Sequence, residues 1–179
     1  MSSLRRVAII GGNRIPFARS NGVYATASNI DMLTAAMDGL VARYKLDGER
    51  LGEVAAGSVL KLSRDFNMTR EVVLSTKLAP ETPACDLQQA CGTGLQAINY
   101  IANKIATGQI ESGIGGGVDT TSDAPIGVSD AMRIFMLELS RAKNNKERFS
   151  SLTKFRPSMV GLEIPRNGEP RTGLAMGDH

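Results

Sequence analysis

The sequence predicts an α/β fold in which a largely parallel sheet is covered by helices on both faces. Short apolar runs alternate with segments in which apolar residues recur at helical spacing, which is typical of strand–helix–strand units. Aromatic residues make up only 4% of the chain, so the core has to be built from Val, Ile, Leu, Ala and Met. Strands buried on both faces of a parallel sheet give continuous apolar runs of this kind.

Four short apolar runs are predicted to form the strands. The first, RVAIIGG, is expected to be buried because it is apolar, short and closed by glycines. In the fourth run, glycines leave room for another backbone to approach closely. The predicted strands are Arg6–Gly12, Glu53–Leu60, Ala84–Ala90 and Glu111–Val118.

Helices are predicted between these strands from apolar residues three and four positions apart. Ser28 and Asp31 match a capping box, so the first helix is expected to begin there and to run to about Tyr44. Gly108 lies where a glycine commonly ends a helix. Two further helices are predicted over Asn67–Lys77 and Gly92–Thr107.

The character of the sequence changes after Pro125. We therefore predict one α/β domain over residues 1–126 and the beginning of a second, irregular subdomain over residues 127–179. In the second part, Met132–Leu139 has the spacing of an amphipathic helix, and Lys143–Arg148 is predicted to be a polar linker.

The net charge of +3 comes entirely from the last third of the chain. Residues 130–179 hold nine Lys/Arg and six Asp/Glu, whereas residues 1–129 hold twelve of each. There is no dense basic run with interleaved aromatics, so no nucleic-acid partner is expected. A basic surface for a phosphorylated small molecule and an ordinary solvated surface both stay open as interpretations.

No apolar run approaches the length that crosses a membrane, and no signal-peptide core follows the first residues. We interpret the chain as a soluble, cytoplasmic protein, with an organellar matrix as the alternative. Two cysteines are too few for a disulfide framework, and with one histidine they match no zinc motif. No metal is therefore expected.

Cys91 is the first candidate for chemistry, because it lies between a predicted strand and the helix that follows at once. A thiol there faces the free N–H groups and the positive end of the helix dipole, which favour the reactive thiolate. Such a strand–turn–helix junction exposes an attacking atom, and backbone N–H groups at the helix start are expected to stabilise an oxyanion. The alternative is a buried, inert cysteine, which is the interpretation we prefer for Cys85 inside its strand.

A cysteine nucleophile also needs a base and an orienting group. The only histidine is His179, the last residue, so the partners of Cys91 are expected outside this chain, and the sequence is expected to be incomplete. The second candidate is the glycine-rich segment Gly115–Pro125, which has the composition of a pocket lining or of a weak phosphate cradle.

Together these segments resemble the thiolase family. Their order along the chain is that of the family, and the cysteine and glycine segments are specific in combination. The residues after the glycine segment, Ile126–Ser129, resemble most the β-subunits of fatty-acid oxidation complexes. The segments that carry the resemblance are Arg14–Arg19 (RIPFAR), Asn67–Arg70 (NMTR), Ala90–Ala97 (ACGTGLQA), Gly116–Pro125 (GGVDTTSDAP) and Met176–Gly177.

The resemblance implies a thiolase fold, with a five-stranded mixed sheet between helices over residues 1–126 and a truncated start of the loop domain over residues 127–179. It also implies acyl transfer on coenzyme A thioesters through an acyl group on Cys91. Met176 is then expected to contact substrate, and coenzyme A is a substrate rather than a bound cofactor. Expected partners are acyl-CoA, a second copy or three further copies of the chain, and an oxidation-complex α-subunit.

Three positions depart from the family pattern. Thr93 replaces the usual Ser, Asp119 replaces Glu, and Thr121 replaces Met. The histidine that activates the nucleophile and the second cysteine of the family belong to a second half of similar size, which this sequence does not contain.

Three other functions are compatible with the same residues. A ketoacyl synthase shares the cysteine junction, but the Arg14–Arg19 loop and the glycine segment argue against it. A thiolase-like protein that binds acyl-CoA without turnover is the second, and retention of Cys91 argues against it. A structural fragment that contributes only a dimer surface is the third.

Overall fold

The computed structural model describes residues 4–164 and 168–178, and the chain divides into two compact units, Met1–Asp123 and Ala124–His179. The first unit holds three helices, labelled α1 (Asn29–Tyr44), α2 (Met68–Ser75) and α3 (Thr93–Ala106), and a short 3₁₀ turn over Ser63–Asp65. Among the described residues, no helix is both long enough and apolar enough to cross a membrane.

The predicted signals for the start and end of the helices are confirmed. At the start of α1, the Ser28 side chain accepts a hydrogen bond from the N–H of Asp31, and the Asp31 carboxylate accepts from the N–H of Ser28 at 2.9 Å. After α3, Gly108 has a φ of 75°, the left-handed conformation in which glycine ends a helix.

Three short parallel strands form the sheet of the first unit. They are β1 (Glu53–Ala56), β2 (Ala84–Asp86) and β3 (Gly113–Gly115). Their spatial order is β2-β1-β3, so β1 is central, with Ala55 opposite Cys85 on one side and Gly115 on the other. These strands confirm the last three predicted runs, within shorter bounds.

The core lies on both faces of this sheet, as predicted. Val54 and Ala56 point to a cluster shared with α1 and α2, and Ala55 points to Ala97 and Ile101 on α3. Neighbouring residues of β1 therefore contribute to opposite layers, which is why the whole strand is buried. Each large apolar side chain that is fully buried in this way stabilises the fold by about 1.5–3 kcal/mol.

The strand predicted over Arg6–Gly12 is wrong. The segment is irregular, and Ile9 and Ile10 are 82% and 85% exposed. Among the described residues, the segment pairs with neither of the outer strands, β2 and β3, so its apolar character alone does not bring it into the sheet. One end of the segment is held by the Arg43 guanidinium, which donates to the Gly12 carbonyl at 2.7 Å.

The five-stranded mixed sheet is also wrong for the residues that the structure describes. The sheet of the first unit has three strands there, and both of its pairings are parallel. An antiparallel pair exists, but it is separate and lies in the second unit, where β4 (Gly127–Val128) pairs with β5 (Leu162–Glu163). The mixed sheet was expected from the family resemblance and not from the periodicity of this sequence.

The second unit contains two helices, α4 (Asp130–Arg141) and α5 (Asn145–Leu152). The first confirms the predicted amphipathic helix, and its Phe135 packs against Phe155 with the rings tilted by 56° and their centroids 5.6 Å apart. The second contradicts the predicted polar linker over Lys143–Arg148. Its cause is a capping pair, because Asn144 accepts from the N–H of Glu147 at 2.8 Å, and the Glu147 carboxylate accepts in return from the Lys143 N–H.

Candidate active site

Cys91 lies at the carboxyl end of the parallel sheet, between the last residue of β2 and the first residue of α3. Its side chain is exposed, whereas the other cysteine is half-buried. Gly92 is the cap of α3, so the thiol sits one residue outside the helix, next to its positive end. The strand–turn–helix placement predicted for the nucleophile is therefore what the structure shows.

The turn that carries Cys91 is tight and partly strained. Ala90 has a φ of 44°, in the left-handed region that costs a residue other than glycine about 1–2 kcal/mol. Backbone bonds hold the turn on both sides of the cysteine, since Gly92 N–H donates to Gln89 at 2.9 Å and Thr93 N–H donates to Ala90 at 3.1 Å. Strain retained beside a reactive group is a common feature of functional sites.

Those two backbone bonds restrict which groups can stabilise a negative oxygen. The N–H groups of Gly92 and Thr93 already donate within the turn, so they are not the free donors that the sequence led us to expect. The first i→i−4 hydrogen bond of α3 runs from the Gln96 N–H to the Gly92 carbonyl at 2.9 Å. The N–H groups of Gly94 and Leu95, in the first turn of α3, lie at the open end of the helix and are candidate donors for an oxyanion.

Three loops meet around this turn, one from the carboxyl end of each parallel strand. Gly57 follows β1, and a Cβ built on it comes within 1.8 Å of the Leu87 carbonyl oxygen. Gly117 follows β3, and its Cβ would lie 2.9 Å from the Gly57 carbonyl oxygen and 3.5 Å from Gly94. The glycines thus permit a close approach of three backbones, as predicted, at the edge of a parallel sheet where ligands generally bind.

The glycine segment uses its polar side chains to fasten other loops. The Asp119 carboxylate accepts from the N–H groups of Val59 at 2.8 Å and Leu60 at 2.9 Å. Ser122 accepts from the N–H of Asn21 at 2.8 Å. Through these bonds Asp119 fixes the loop after β1, and Ser122 fixes the segment before α1.

Cys85 has surroundings of a different kind. It lies in β2, and burial, followed by the nearby Glu53 carboxylate, raises the pKa of its thiol. Glu53 is itself buried, accepts from the Tyr100 hydroxyl at 3.1 Å and is paired with Lys104. A thiol kept protonated among these groups is a poor nucleophile, which agrees with its interpretation as a structural residue.

Asp86 is a residue of the site region that the sequence reasoning missed. Its carboxylate accepts from the N–H groups of Met68 at 3.2 Å and Thr69 at 2.8 Å, at the start of α2, and is paired with Lys61. Burial acts to raise the pKa of this carboxyl, but the hydrogen bonds from Lys61 and Thr69 outweigh burial and lower it. Two features could have indicated this residue: Asp86 ends β2, and the N-terminus of α2 has no side-chain cap of its own.

Other predicted groups lie outside what the structure describes. Met176 begins a 3₁₀ turn, but its side chain is not among the described residues, and neither is His179. Among residues 4–164 and 168–178, no three His, Cys, Asp or Glu side chains are grouped closely enough to hold a metal ion.

The fold and site together define an α/β protein with an exposed cysteine at a strand-to-helix turn beside a glycine-rich strand end. Residues 7–161 match the family described as thiolase, N-terminal domain. The chain therefore belongs to the thiolase family, which confirms the resemblance of its motifs.

Relatives and a solved structure agree with that assignment. The chain is similar to the 3-ketoacyl-CoA thiolases of Salmonella paratyphi A and Photorhabdus laumondii, at 31% and 34% identity over 173 residues. The alignment covers 97% of this chain and 40% of each relative, so the chain spans about two fifths of their length. The Bacillus anthracis acetyl-CoA acetyltransferase shares the fold, with a TM-score of 0.67 at 22% identity over 71% of this chain and 32% of that one.

Proposed function

We propose that the full-length protein transfers acyl groups between coenzyme A thioesters through an acyl group on Cys91. The observation that supports this most is the exposed Cys91 at the start of α3, in a chain that belongs to the thiolase family. The names of the similar proteins, 3-ketoacyl-CoA thiolase and acetyl-CoA acetyltransferase, describe this reaction class.

The reaction has two steps. The Cys91 thiolate attacks the keto carbon of a 3-ketoacyl-CoA, the bond between that carbon and its neighbour breaks, and acetyl-CoA leaves after its new carbanion takes a proton. The thiolate of a second coenzyme A then attacks the acyl-cysteine, and Cys91 leaves as thiolate. In reverse, two acetyl-CoA molecules are joined. A covalent intermediate replaces one difficult transfer with two easier ones.

The protein groups needed for proton transfer belong, by family resemblance, to a histidine and a second cysteine outside this chain. Coenzyme A acts as a substrate, and no metal or bound cofactor takes part. We assign to residues 127–179 the start of a loop domain that covers the pantetheine, with Met176 near the substrate and the basic residues near the phosphates. The proposed assembly is a homodimer or homotetramer in the cytoplasm, with an oxidation-complex α-subunit as a further partner.

The test is to incubate the full-length protein with acetyl-CoA and measure its mass after proteolysis. We expect one acetyl group on the peptide that contains Cys91, and none in Cys91→Ala. Cys85→Ala is the matched control, because it removes the other thiol only six residues away and should retain the label.

The same experiment separates the alternatives. If the folded wild-type protein binds acetyl-CoA but takes no label, it is a non-catalytic acyl-CoA-binding protein. If it neither binds nor is labelled, its role is structural. A label that persists in Cys91→Ala would assign the chemistry to another residue, and each of these three results contradicts the proposal.

A further inference from the structure

Thr93, two residues after the nucleophile, has a buried side chain with 4% of its surface exposed. Its hydroxyl accepts a hydrogen bond from the N–H of Gln89 at 2.8 Å and donates one to the carbonyl of Ala90 at 2.7 Å. One hydroxyl is therefore bonded to the backbone on both sides of the peptide that joins Gln89 and Ala90. These two hydrogen bonds close a ring that contains the backbone of Gln89 and Ala90, and Cys91 is the next residue of the chain.

The ring has a specific task, because Ala90 is in the left-handed conformation with a φ of 44°. An alanine returns from that conformation to negative φ unless the surrounding structure holds it, since its Cβ crowds the following carbonyl. Such a return would rotate the chain that follows and turn the Cys91 thiol away from the start of α3. The hydroxyl of Thr93 bonds the two backbone groups that would have to move.

The methyl group of Thr93 has a separate contact. It lies against Gly57, where an added Cβ would be only 2.5 Å from Thr93 Cγ2. The hydroxyl thus faces the cysteine turn, and the methyl faces the loop after β1. Because the two functions reside on different atoms, they can be removed one at a time.

We propose that Thr93 is a positioning residue for Cys91, whose hydroxyl holds Ala90 in the left-handed conformation and so presents the thiol for reaction. The inference deepens the proposed function and rests on it for its role in acyl transfer. The geometric part, the control of Cys91 by the Thr93 hydroxyl, is measured independently of any activity.

The first experiment compares Thr93→Ser, which keeps the hydroxyl, with Thr93→Val, which keeps the methyl, in the full-length protein. The readout is the rate at which iodoacetamide alkylates Cys91, followed by peptide mass spectrometry. We expect Thr93→Ser to stay within about threefold of wild type and Thr93→Val to be slower by about tenfold or more. Equal rates for Thr93→Val and wild type, in folded proteins, would overturn the inference, as would an equal loss in both variants.

The second experiment measures steady-state acyl transfer in the same proteins. A misplaced nucleophile lowers kcat and leaves the KM for acyl-CoA little changed, whereas a general loss of structure changes both. Failure of the wild type to form acyl-Cys91 would count against the proposed function alone. Retention of wild-type kcat in Thr93→Val would count against the role of Thr93 alone.

A third measurement needs no variant and therefore does not depend on Thr93→Val folding. The Gln89 side chain is exposed, yet its N–H donates to the buried Thr93 hydroxyl. We expect amide hydrogen exchange at Gln89 to be slower than that of an unbonded amide by at least about tenfold. Exchange at the unprotected rate in the wild-type protein would contradict the hydrogen bond on which the inference depends.

Discussion

The two cysteines of this chain lie six residues apart and occupy opposite environments. Cys85 sits within β2, half-buried beside the Glu53 carboxylate, with a raised pKa. Cys91 sits beyond the end of the strand, exposed, among glycines and the first residues of α3. Six residues therefore separate a thiol inside the strand, beside a buried carboxylate, from an exposed thiol one residue before the cap of α3.

The strongest contrast is expected between the alkylation rates of these two thiols. At pH 7.5 we expect iodoacetamide to modify Cys91 faster than Cys85 by about a hundredfold, since Cys85 is less accessible and its raised pKa keeps its thiol protonated. A raised pKa means that Cys85 stays protonated to higher pH, so its rate should still be rising above pH 9. The measurement is peptide mass spectrometry at intervals over a series of pH values.

Two variants complete that comparison. In Cys91→Ala only the slow class should remain, and in Cys85→Ala only the fast one. If both thiols react at similar rates in the folded protein, the contrast between the two environments has no chemical consequence, and the assignment of Cys91 as the nucleophile loses its physical basis.

The next effect concerns the backbones packed around Cys91. A Cβ on Gly117 would lie 2.9 Å from the Gly57 carbonyl oxygen, whereas a Cβ on its neighbour Gly116 meets nothing within 4 Å. We expect Gly117→Ala to lower the free energy of unfolding by about 1–3 kcal/mol, because backbone atoms have to move apart. Gly116→Ala is the matched control and should change it by less than about 0.5 kcal/mol.

Chemical denaturation of the two variants checks this prediction. Alkylation adds a second readout, because Gly117 lies at the Cys91 edge of the sheet. The rate at Cys91 should change in Gly117→Ala, and the rate at Cys85 should change less. Equal stability of the two glycine variants would show that the three loops are not packed as tightly as the structure indicates.

The sequence predicted the elements whose signals are local. The capping box at Ser28, the terminal glycine at position 108 and the junction at Cys91 were all found, since each depends on residues a few positions apart. The strand over Arg6–Gly12 was predicted wrongly because periodicity reports that a run is apolar, but not whether it pairs with another strand. Strand order depends on contacts that are distant in the sequence.

The site was predictable to a similar extent. Cys91 could be chosen because a strand end, a cysteine and small residues are visible in the sequence. The ring formed by Thr93 could not, because it depends on Ala90 adopting a positive φ, which the sequence does not favour. The helix α5 was missed for a different reason, since its charged residues suggested a linker while the pair Asn144 and Glu147 already carried the pattern of a capped helix start.

A weaker dependence is expected at Asp86, which follows Cys85 and precedes the loop to Cys91. Its folded-state pKa is lowered, so the stability that it contributes is fully present above the unfolded-state pKa of about 4. That stability is lost as the pH falls through the still lower folded-state pKa. Asp86→Asn should therefore lower the free energy of unfolding by about 1–2 kcal/mol at pH 7, and the difference from wild type should disappear in strong acid.

The control for Asp86→Asn is Asp47→Asn, because Asp47 forms an exposed pair with Lys77 at 3.4 Å and should contribute less than about 1 kcal/mol. Denaturation curves from pH 7 downward distinguish the two variants. If Asp86→Asn keeps the pH dependence of the wild type, Asp86 is not the group that joins β2 to the start of α2. The opposite outcome is that Asp86→Asn removes this pH dependence and leaves the alkylation rate of Cys91 at the wild-type value. In that case the charge of Asp86 stabilises β2, and the Thr93 hydroxyl stabilises the turn at Cys91. The two cysteines then depend on separate parts of the fold.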